Sequence, residues 1–153
     1  MQLTSAYMRS AEPWISLPEE YLHTPENPRP EFSFGLGVKS IEQLIELGAF
    51  LNPDLAAAIK ADSVVGLIAA KSYLETLCGL PRATIEVQCA YSREAPLVLS
   101  LGNTHDGIDL ELCADYREKI EEELERLKWP NPILKWYITD EKIRSRRDWS
   151  TAR

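Results

Sequence analysis

Four carboxylates on predicted strands and strand ends are the first side chains in this sequence that could do chemistry. Carboxylate oxygens are the ligands that Mg²⁺ prefers, and two or three that converge on one point support metal-dependent phosphodiester hydrolysis. The same residues are also the ordinary polar face of half-buried strands. The sequence therefore allows a degenerate carboxylate site of a nuclease-like or phosphodiesterase-like enzyme. The four residues are Glu86, Asp109, Glu111 and Asp140.

Two nuclease architectures share the order of elements that we predict below for residues 83–139. The restriction-endonuclease-like core needs Asp/Glu-x-Lys on a strand, and Cys113 stands where the lysine after Glu111 is required. The ribonuclease-H-like core needs carboxylates on its first strand, in its helix and at the end of its fourth strand. An analogy of element order alone carries little weight for function. The residues in loosely comparable places are Glu86, either Glu118 or Glu122, and Asp140.

A histidine and an aspartate, His105 and Asp106, are neighbours in a predicted hairpin loop bounded by glycines. Such a pair can serve acid–base catalysis, and functional residues often lie on loops. No Gly-x-Ser-x-Gly motif accompanies the pair, and Asp-Gly is also common turn chemistry. The second histidine, His23, has no evident partner. With only two histidines in the chain, we expect no zinc site.

The three cysteines, Cys78, Cys89 and Cys113, form neither a C-x-x-C motif nor a disulfide framework. We expect them to be small buried hydrophobic residues, with a reactive thiol as the alternative. The first residues lack the basic and apolar regions of a signal peptide. No apolar run reaches the ~18 residues of a transmembrane helix. These features predict a reducing, cytoplasmic location, no membrane span and no cofactor.

The 153-residue chain is acidic, with 24 Asp and Glu against 17 Lys and Arg and a net charge of −7. The charge is uneven, because residues 142–153 carry five basic side chains and one aspartate. An acidic body repels polyphosphates, so nucleic acid is not an expected partner. The basic tail is expected to stay in solvent, to fold back on the acidic body, or to contact an acidic partner or a phosphate backbone.

Five prolines between residues 13 and 30 predict an extended arm, because each removes a backbone donor and fixes φ. The arm carries apolar side chains, so we expect it to lie across the body or against a partner. Alternating apolar residues over Glu31–Val38 then predict a strand. Its other face holds a serine and two glycines, which would let another backbone approach closely.

Helical spacing of apolar residues follows over 40–80. A capping box at Ser40 and Gln43 begins the first helix. A break near Asp62-Ser63 is expected, because Ser63 can cap a new helix. The middle of the last helix is apolar all round, which indicates a helix covered on more than one side. It ends at Gly79.

Period-two patterns over 83–91, 96–101 and 108–113 predict three strands of an antiparallel meander joined by hairpins. Asp115 and a glutamate three residues later have capping-box spacing, which predicts a helix that ends before Pro130. A last strand follows over 133–139. We therefore predict one α+β domain over 1–153, with a helical N-terminal lobe packed on a mostly antiparallel sheet. Its parts are a proline-rich arm over 13–30, a helical part over 40–80, a βββαβ part over 83–139 and a basic tail over 142–153.

Aromatic side chains and acidic groups indicate how the chain would bind a partner. Tryptophan is a favoured interface anchor, so Trp14, Trp129 and Trp149 are candidate contacts. The acidic helix face that includes Glu118 and Glu122 either is simply solvated or steers a basic surface. Inhibitors, immunity proteins, adaptors and antagonists encoded by phages or mobile elements share this acidic character and lack of catalytic motifs. We therefore expect a non-catalytic protein that occludes another protein, with the nuclease-like enzyme as the alternative and no prediction of the oligomeric state.

Overall fold

The computed structural model describes residues 13–140. The predicted basic tail and Trp149 lie outside the described residues. Single-turn 3₁₀ helices occur at Glu19–Tyr21 and Pro53–Leu55. The α+β class and the helical lobe beside an antiparallel sheet are confirmed. The strands are β1 (Glu31–Val38), β2 (Glu86–Cys89), β3 (Leu97–Asn103) and β4 (Leu134–Asp140), and the α-helices are α1 (Ile41–Leu51), α2 (Ala56–Ala61), α3 (Ser63–Cys78) and α4 (Leu110–Arg126).

The four strands form one sheet in the order β2-β3-β1-β4, and each neighbouring pair is antiparallel. The strand predicted over Glu31–Val38 is confirmed as β1, and it lies in the interior of the sheet between β3 and β4. Helices α1 to α3 follow β1 before the chain returns to the sheet. The central strand therefore depends on partners that come more than 50 residues later in the chain.

The glycine-rich face of β1 is approached closely by its neighbours, as its sequence predicts. A Cβ on Gly35 would lie 2.0 Å from the carbonyl oxygen of Leu99, next to a register shift between Phe34 and Gly35. A Cβ on Gly37 would lie 2.6 Å from the Cβ of Ala95. Any side chain larger than a hydrogen atom would therefore push the neighbouring strand or loop away.

The strand predicted over 108–113 is wrong, because this segment begins helix α4. The carboxylate of Asp109 accepts the backbone N–H groups of Glu111 at 2.9 Å and Leu112 at 3.2 Å. These bonds satisfy two N–H groups of the first helical turn that have no acceptor within the helix. Asp115, predicted as the N-cap, lies inside the helix. Three alternating apolar residues were too short a pattern to distinguish a strand from a helix start.

The order of residues 83–139 is consequently ββαβ, and the predicted βββαβ order is wrong. The fourth strand of the sheet is β1, from before the helical part. The loop that holds His105 joins β3 to α4 and is not a hairpin. Strand β2 is also shorter than predicted: it begins at Glu86, after Ala83 at φ 62°. The analogy with nuclease cores loses its basis, because it depended on three consecutive strands before the helix.

The helix boundaries in the helical part follow their capping residues. The Ser40 hydroxyl accepts the N–H of Gln43 at 3.1 Å. The predicted break after α2 is confirmed. The residue that caps α3 is Asp62, whereas the sequence predicted Ser63. Helix α3 ends at Gly79, whose φ of 68° is the left-handed conformation that glycine adopts at low cost. Within residues 13–140, no helix is long and apolar enough to span a lipid bilayer.

The main core lies between one face of the sheet and the helices. Strand β1 contributes an apolar residue at every second position, as its alternation predicts. Complete burial of a large apolar side chain stabilises a fold by about 1.5–3 kcal/mol. The largest fully buried side chains of this cluster are Phe32, Phe34, Leu44, Leu47, Leu74, Ile85, Leu99, Ile120, Leu124 and Leu134.

The proline-rich arm lies across the body, which confirms one of its two predicted positions. Trp14 forms an isolated antiparallel bridge with Trp136 of β4. Tyr21 is buried in the main core, and its ring centroid lies 5.7 Å from that of Phe32. The arm therefore covers apolar surface of the sheet, and its own apolar side chains are explained by this contact.

Three different segments form hydrogen bonds with the outer edge of β4, at Leu134, Trp136 and Ile138. The N–H of Leu134 donates to the carboxylate of Glu121 on α4 at 2.9 Å. The backbone N–H and carbonyl of Trp136 both form hydrogen bonds with the backbone of Trp14 in the arm. The carbonyl of Ile138 accepts the N–H of Tyr91, from the connection between β2 and β3, at 2.9 Å. An edge whose donors and acceptors are engaged in this way is protected against pairing with another strand.

Candidate functional site

The four carboxylates considered as metal ligands lie on different elements. Glu86 lies on β2 at one edge of the sheet, and Asp140 ends β4 at the opposite edge. Asp109 and Glu111, expected on a strand, belong to the N-terminus of α4. Within residues 13–140, no group of three or more His, Cys, Asp or Glu side chains is arranged to hold a metal ion. The geometry of this part of the chain therefore gives the nuclease-like alternative no support.

The two histidines hold the end of the arm on the loop after β3. The His105 ring is buried, and its Nε2 donates to the carbonyl of Arg29 at 2.6 Å. The N–H of Arg29 donates to Nδ1 of His23 at 2.9 Å. The two imidazole centroids lie 4.3 Å apart. His23 was expected to have no partner, and this expectation is wrong, because the arm folds back onto the loop.

The carboxylate beside His105 is part of a tight polar turn. The Asn103 side-chain amide donates to Asp106 Oδ2 at 3.0 Å, and its carbonyl oxygen accepts the N–H groups of His105 and Asp106. Asparagine and aspartate commonly stabilise turns by such bonds. The described contacts of this loop therefore fit the turn interpretation of His105 and Asp106, and His105 joins the turn to the arm.

An apolar groove with a cavity volume of about 230 Å³ lies between the arm and α4. Two of its lining residues, Ile15 and Leu110, are large and apolar, yet they are 55% and 50% exposed. We call it the arm–α4 groove. Its lining consists of Ile15, Ser16, Leu17 and Leu22 from the arm, Leu110, Cys113, Ala114 and Arg117 from α4, and Phe34 and Trp136 from the sheet.

Arg117 connects the three walls of this groove, and the sequence reasoning missed it. Its guanidinium donates to the backbone carbonyl of Ile15 on the arm. It also lies 5.0 Å from the centroid of the Phe34 ring, within the range of a cation–π contact. On its own helix it pairs with Glu121 at 3.4 Å. The i,i+4 spacing of this ion pair was visible in the sequence, whereas the contacts with the arm and the sheet left no sequence signal.

A second cavity of about 310 Å³ lies on the other side of the first turns of α4, and Cys113 lines both cavities. Burial raises the pKa of the Cys113 thiol to about 11, with a smaller contribution from Asp109. Burial likewise raises the pKa of Cys78 to about 11. A protonated thiol is a poor nucleophile, so neither residue is activated for covalent chemistry. Cys89 is exposed, and the expectation that all three cysteines are buried is wrong for this residue.

The outward side of α4 carries a row of exposed acidic side chains. Glu118 and Glu122 form no ion pair within residues 13–140, whereas Arg126 pairs with Glu123 at 2.6 Å. Although Glu122 and Arg126 have the i,i+4 spacing of an ion pair, Arg126 does not pair with Glu122, which remains exposed to solvent. We call this row the acidic α4 face, and its members are Glu111, Asp115, Glu118, Glu122 and Glu125.

The two candidate tryptophans within the described residues have different surroundings. Trp14 is half-buried, with its ring centroid 4.9 Å from Tyr21 and 5.6 Å from Phe32, so its contacts fix the arm. Trp129 follows the C-terminal end of α4 and is half-buried beside Phe50, with 5.1 Å between centroids. Trp129 thus offers a partly exposed aromatic surface at the end of α4 opposite to Leu110.

Comparison of the chain with protein-family models, with curated proteins and with solved structures gave no match.

Proposed function

We propose that this protein acts by binding another protein whose contacting surface is basic, without catalysing a reaction on it. The observation that carries the proposal is the position of the acidic α4 face directly beside the arm–α4 groove. Leu110 and Ala114 line the groove, and Glu111 and Glu118 follow them around the same helix. Neighbouring residues are separated by about 100° around a helix, so these charges border the groove.

The two surfaces would contribute in different ways. Side chains of the partner that enter the groove would remove the exposed parts of Ile15 and Leu110 from water, at about 25 cal/mol per Å² of apolar area. Acidic groups at the rim contribute more to the rate of association and to specificity than to affinity. A basic partner with a few apolar anchors fits this combination.

The class of protein that fits this mode of action is an inhibitor, an immunity protein or an adaptor. Such a protein works by occluding a surface of its target, so it needs no reactive centre. A cytoplasmic location belongs to the same proposal, since three cysteines without a bridge among the described residues suit a reducing compartment. No observation on residues 13–140 favours the nuclease-like alternative.

Charge reversal on the acidic α4 face tests the proposal. The variant Glu118→Lys/Glu122→Lys is compared with the control Glu42→Lys/Glu46→Lys, which makes the same change of net charge on exposed positions of α1. A stoichiometric partner is first isolated from native lysate with the wild-type chain, and its affinity for each purified variant is then measured by calorimetry at low and high salt.

We expect the α4 variant to bind at least about tenfold more weakly than the wild type, with the control close to the wild type. Affinity of the wild type should also fall as salt is added, because exposed charges are screened. The proposal fails if no stoichiometric partner is found or if both charge reversals weaken binding equally.

A further inference from the structure

We propose that the second cavity beside α4 binds a small organic cation, with an apolar body and a primary ammonium group. The cavity has a volume of about 310 Å³, and we call it the loop–α4 cavity. One wall comes from the end of β3 and the loop after it, and the other comes from the first two turns of α4. The site is separate from the proposed partner-binding surface, because Leu112 and Tyr116 line it, whereas Leu110 and Ala114 line the arm–α4 groove.

The α4 wall is a stripe along one face of the helix that is apolar after its first residue. Asp109, Leu112, Cys113 and Tyr116 have the i, i+3, i+4, i+7 spacing of such a face. Apolar residues at this spacing normally pack against a core. Here Cys113 is buried, whereas Leu112 is 44% exposed and Tyr116 is half-buried. The stripe therefore leaves apolar surface in the cavity that a ligand would remove from water.

The wall opposite α4 contributes few large side chains, which explains why the stripe is not covered. Two of its residues are glycines, Gly102 at φ 154° and Gly107 at φ 71°. A Cβ on Gly107 would have no atom within 4 Å. The large side chain of Ile108 packs against Gly102, where an added Cβ would lie 3.0 Å from its Cδ1. Space for a ligand therefore remains between this loop and α4.

The charged side chains that line the cavity are both acidic. Asp106 lies in the loop and Asp109 caps α4, and both are exposed. Among the described residues of the lining there is no Lys, Arg or His. The two cap bonds of Asp109 use Oδ1, and the Asn103 amide donates to Oδ2 of Asp106. Because an ionised carboxylate has about four acceptor positions, both aspartates can accept further hydrogen bonds.

The charge and the apolar walls together select the class of ligand. An anion would face two like charges, and a neutral molecule would give neither carboxylate a counter-charge. The start of α4 carries about half an elementary positive charge, which offsets only part of the two negative charges. An ammonium group donates three hydrogen bonds, while its apolar body would cover Ile108, Leu112 and the Tyr116 ring. Mostly apolar walls with a few polar groups are typical of small-molecule sites.

The test is a titration of the full chain at neutral pH, followed by amide NMR. The three probes share a phenyl ring and differ in charge: phenethylamine, 2-phenylethanol and phenylacetate. We expect phenethylamine to shift the amides of Gly107, Leu112 and Tyr116 with saturation, and to bind at least about threefold more tightly than 2-phenylethanol. Phenylacetate should not bind, and added salt should weaken the binding of phenethylamine alone.

Two matched pairs of variants distinguish this cavity from the neighbouring surfaces. Asp109→Asn keeps a cap oxygen but removes a charge, so phenethylamine should bind about threefold more weakly and 2-phenylethanol equally well. Its control is Glu111→Gln, which removes a charge from the acidic α4 face and should leave both affinities close to the wild type. Leu112→Ala shortens the α4 wall and should weaken both probes. Its control is Leu110→Ala, which shortens a similarly exposed leucine of the arm–α4 groove.

The comparison of the three probes uses the wild type alone, so it does not depend on how well any variant folds. Equal affinity for the three probes overturns the proposal, and so does the absence of saturable shifts with phenethylamine. It is also overturned if Leu110→Ala weakens binding as strongly as Leu112→Ala. None of these results bears on the proposed protein partner, which is tested at Glu118 and Glu122.

Discussion

Trp14 and Trp136 exchange two backbone hydrogen bonds, with 3.3 Å from the N–H of Trp14 to the carbonyl of Trp136 and 2.7 Å in the reverse direction. This bridge adds one residue of the arm to the edge of β4. The same docking places Ile15 and Leu17 against α4 and so forms one wall of the arm–α4 groove. Sheet protection and the candidate binding surface therefore depend on the same contact.

The close approach of Leu99 to Gly35 in the sheet predicts that a single added methyl group strongly destabilises the fold. In Gly35→Ala, the new Cβ would lie 2.0 Å from the Leu99 carbonyl oxygen, which is backbone inside the sheet. We expect the free energy of unfolding, measured by urea denaturation, to fall by about 3 kcal/mol. The control is Gly79→Ala, which has open space and a φ of 68° and should lose only about 1 kcal/mol. Equal losses in the two variants would contradict the close contact.

The role of Asp109 as a helix cap predicts a specific pattern of substitutions. Asp109→Ala should lower the free energy of unfolding by about 1 kcal/mol, while Asp109→Asn and Asp109→Ser stay close to the wild type. These residues retain an oxygen that can accept the N–H groups of the first turn of α4. Thermal unfolding with and without Mg²⁺ checks the alternative role, since a metal ligand would give Mg²⁺-dependent stabilisation that Asp109→Asn abolishes.

Three buried neutral groups predict a loss of stability at alkaline pH. Burial raises the pKa of Cys78 and Cys113 from 9.0 to about 11 and that of Tyr137 from 10.0 to about 12. The unfolded chain releases these protons at lower pH than the folded chain, so the free energy of unfolding falls as pH rises above about 9.

Urea denaturation between pH 8 and pH 11 measures this dependence. Tyr137→Phe removes the tyrosine contribution, so its stability should fall less steeply above pH 10 than that of the wild type. Thiol labelling at pH 8 provides the companion measurement, with Cys89 reacting first because it is exposed while Cys78 and Cys113 are buried. Identical pH profiles of the wild type and Tyr137→Phe would contradict the burial effect at this tyrosine.

The carboxylate of Glu121 predicts a difference between two substitutions at one position. Glu121→Ala leaves the N–H of Leu134 without its acceptor and should lower the free energy of unfolding by about 1–2 kcal/mol. Glu121→Gln keeps an acceptor oxygen and should lose less, with only its weak ion pair to Arg117 removed. Urea denaturation of both variants checks this order, and a larger loss in Glu121→Gln than in Glu121→Ala would contradict it.

The reliable sequence predictions came from signals that act within a few residues. The alternation of Glu31–Val38, the Ser40 cap and the stop at Gly79 describe local backbone preferences, and each is found in the structure. The strand prediction for 108–113 failed because the alternation there covers only three apolar positions. The segment is helical because the Asp109 side chain caps the first turn of α4.

The candidate site could be predicted only in part. The acidic side of α4 follows from helical spacing, so Glu118 and Glu122 were found correctly as exposed residues. The groove beside them needs the arm to pack against α4 across more than 90 residues of chain, as in the contact of Arg117 with Ile15. No periodicity in either segment encodes that contact.

The sequence by itself determined the α+β class, the acidic helix face and the glycine positions at which β1 accepts a close neighbour. Tertiary structure decided which strand lies in the middle of the sheet and which segments bond to the edge of β4. The physical reason is the separation along the chain over which each interaction acts. Local preferences depend on neighbouring residues, whereas strand order and edge protection depend on hydrogen bonds between segments that only folding brings together.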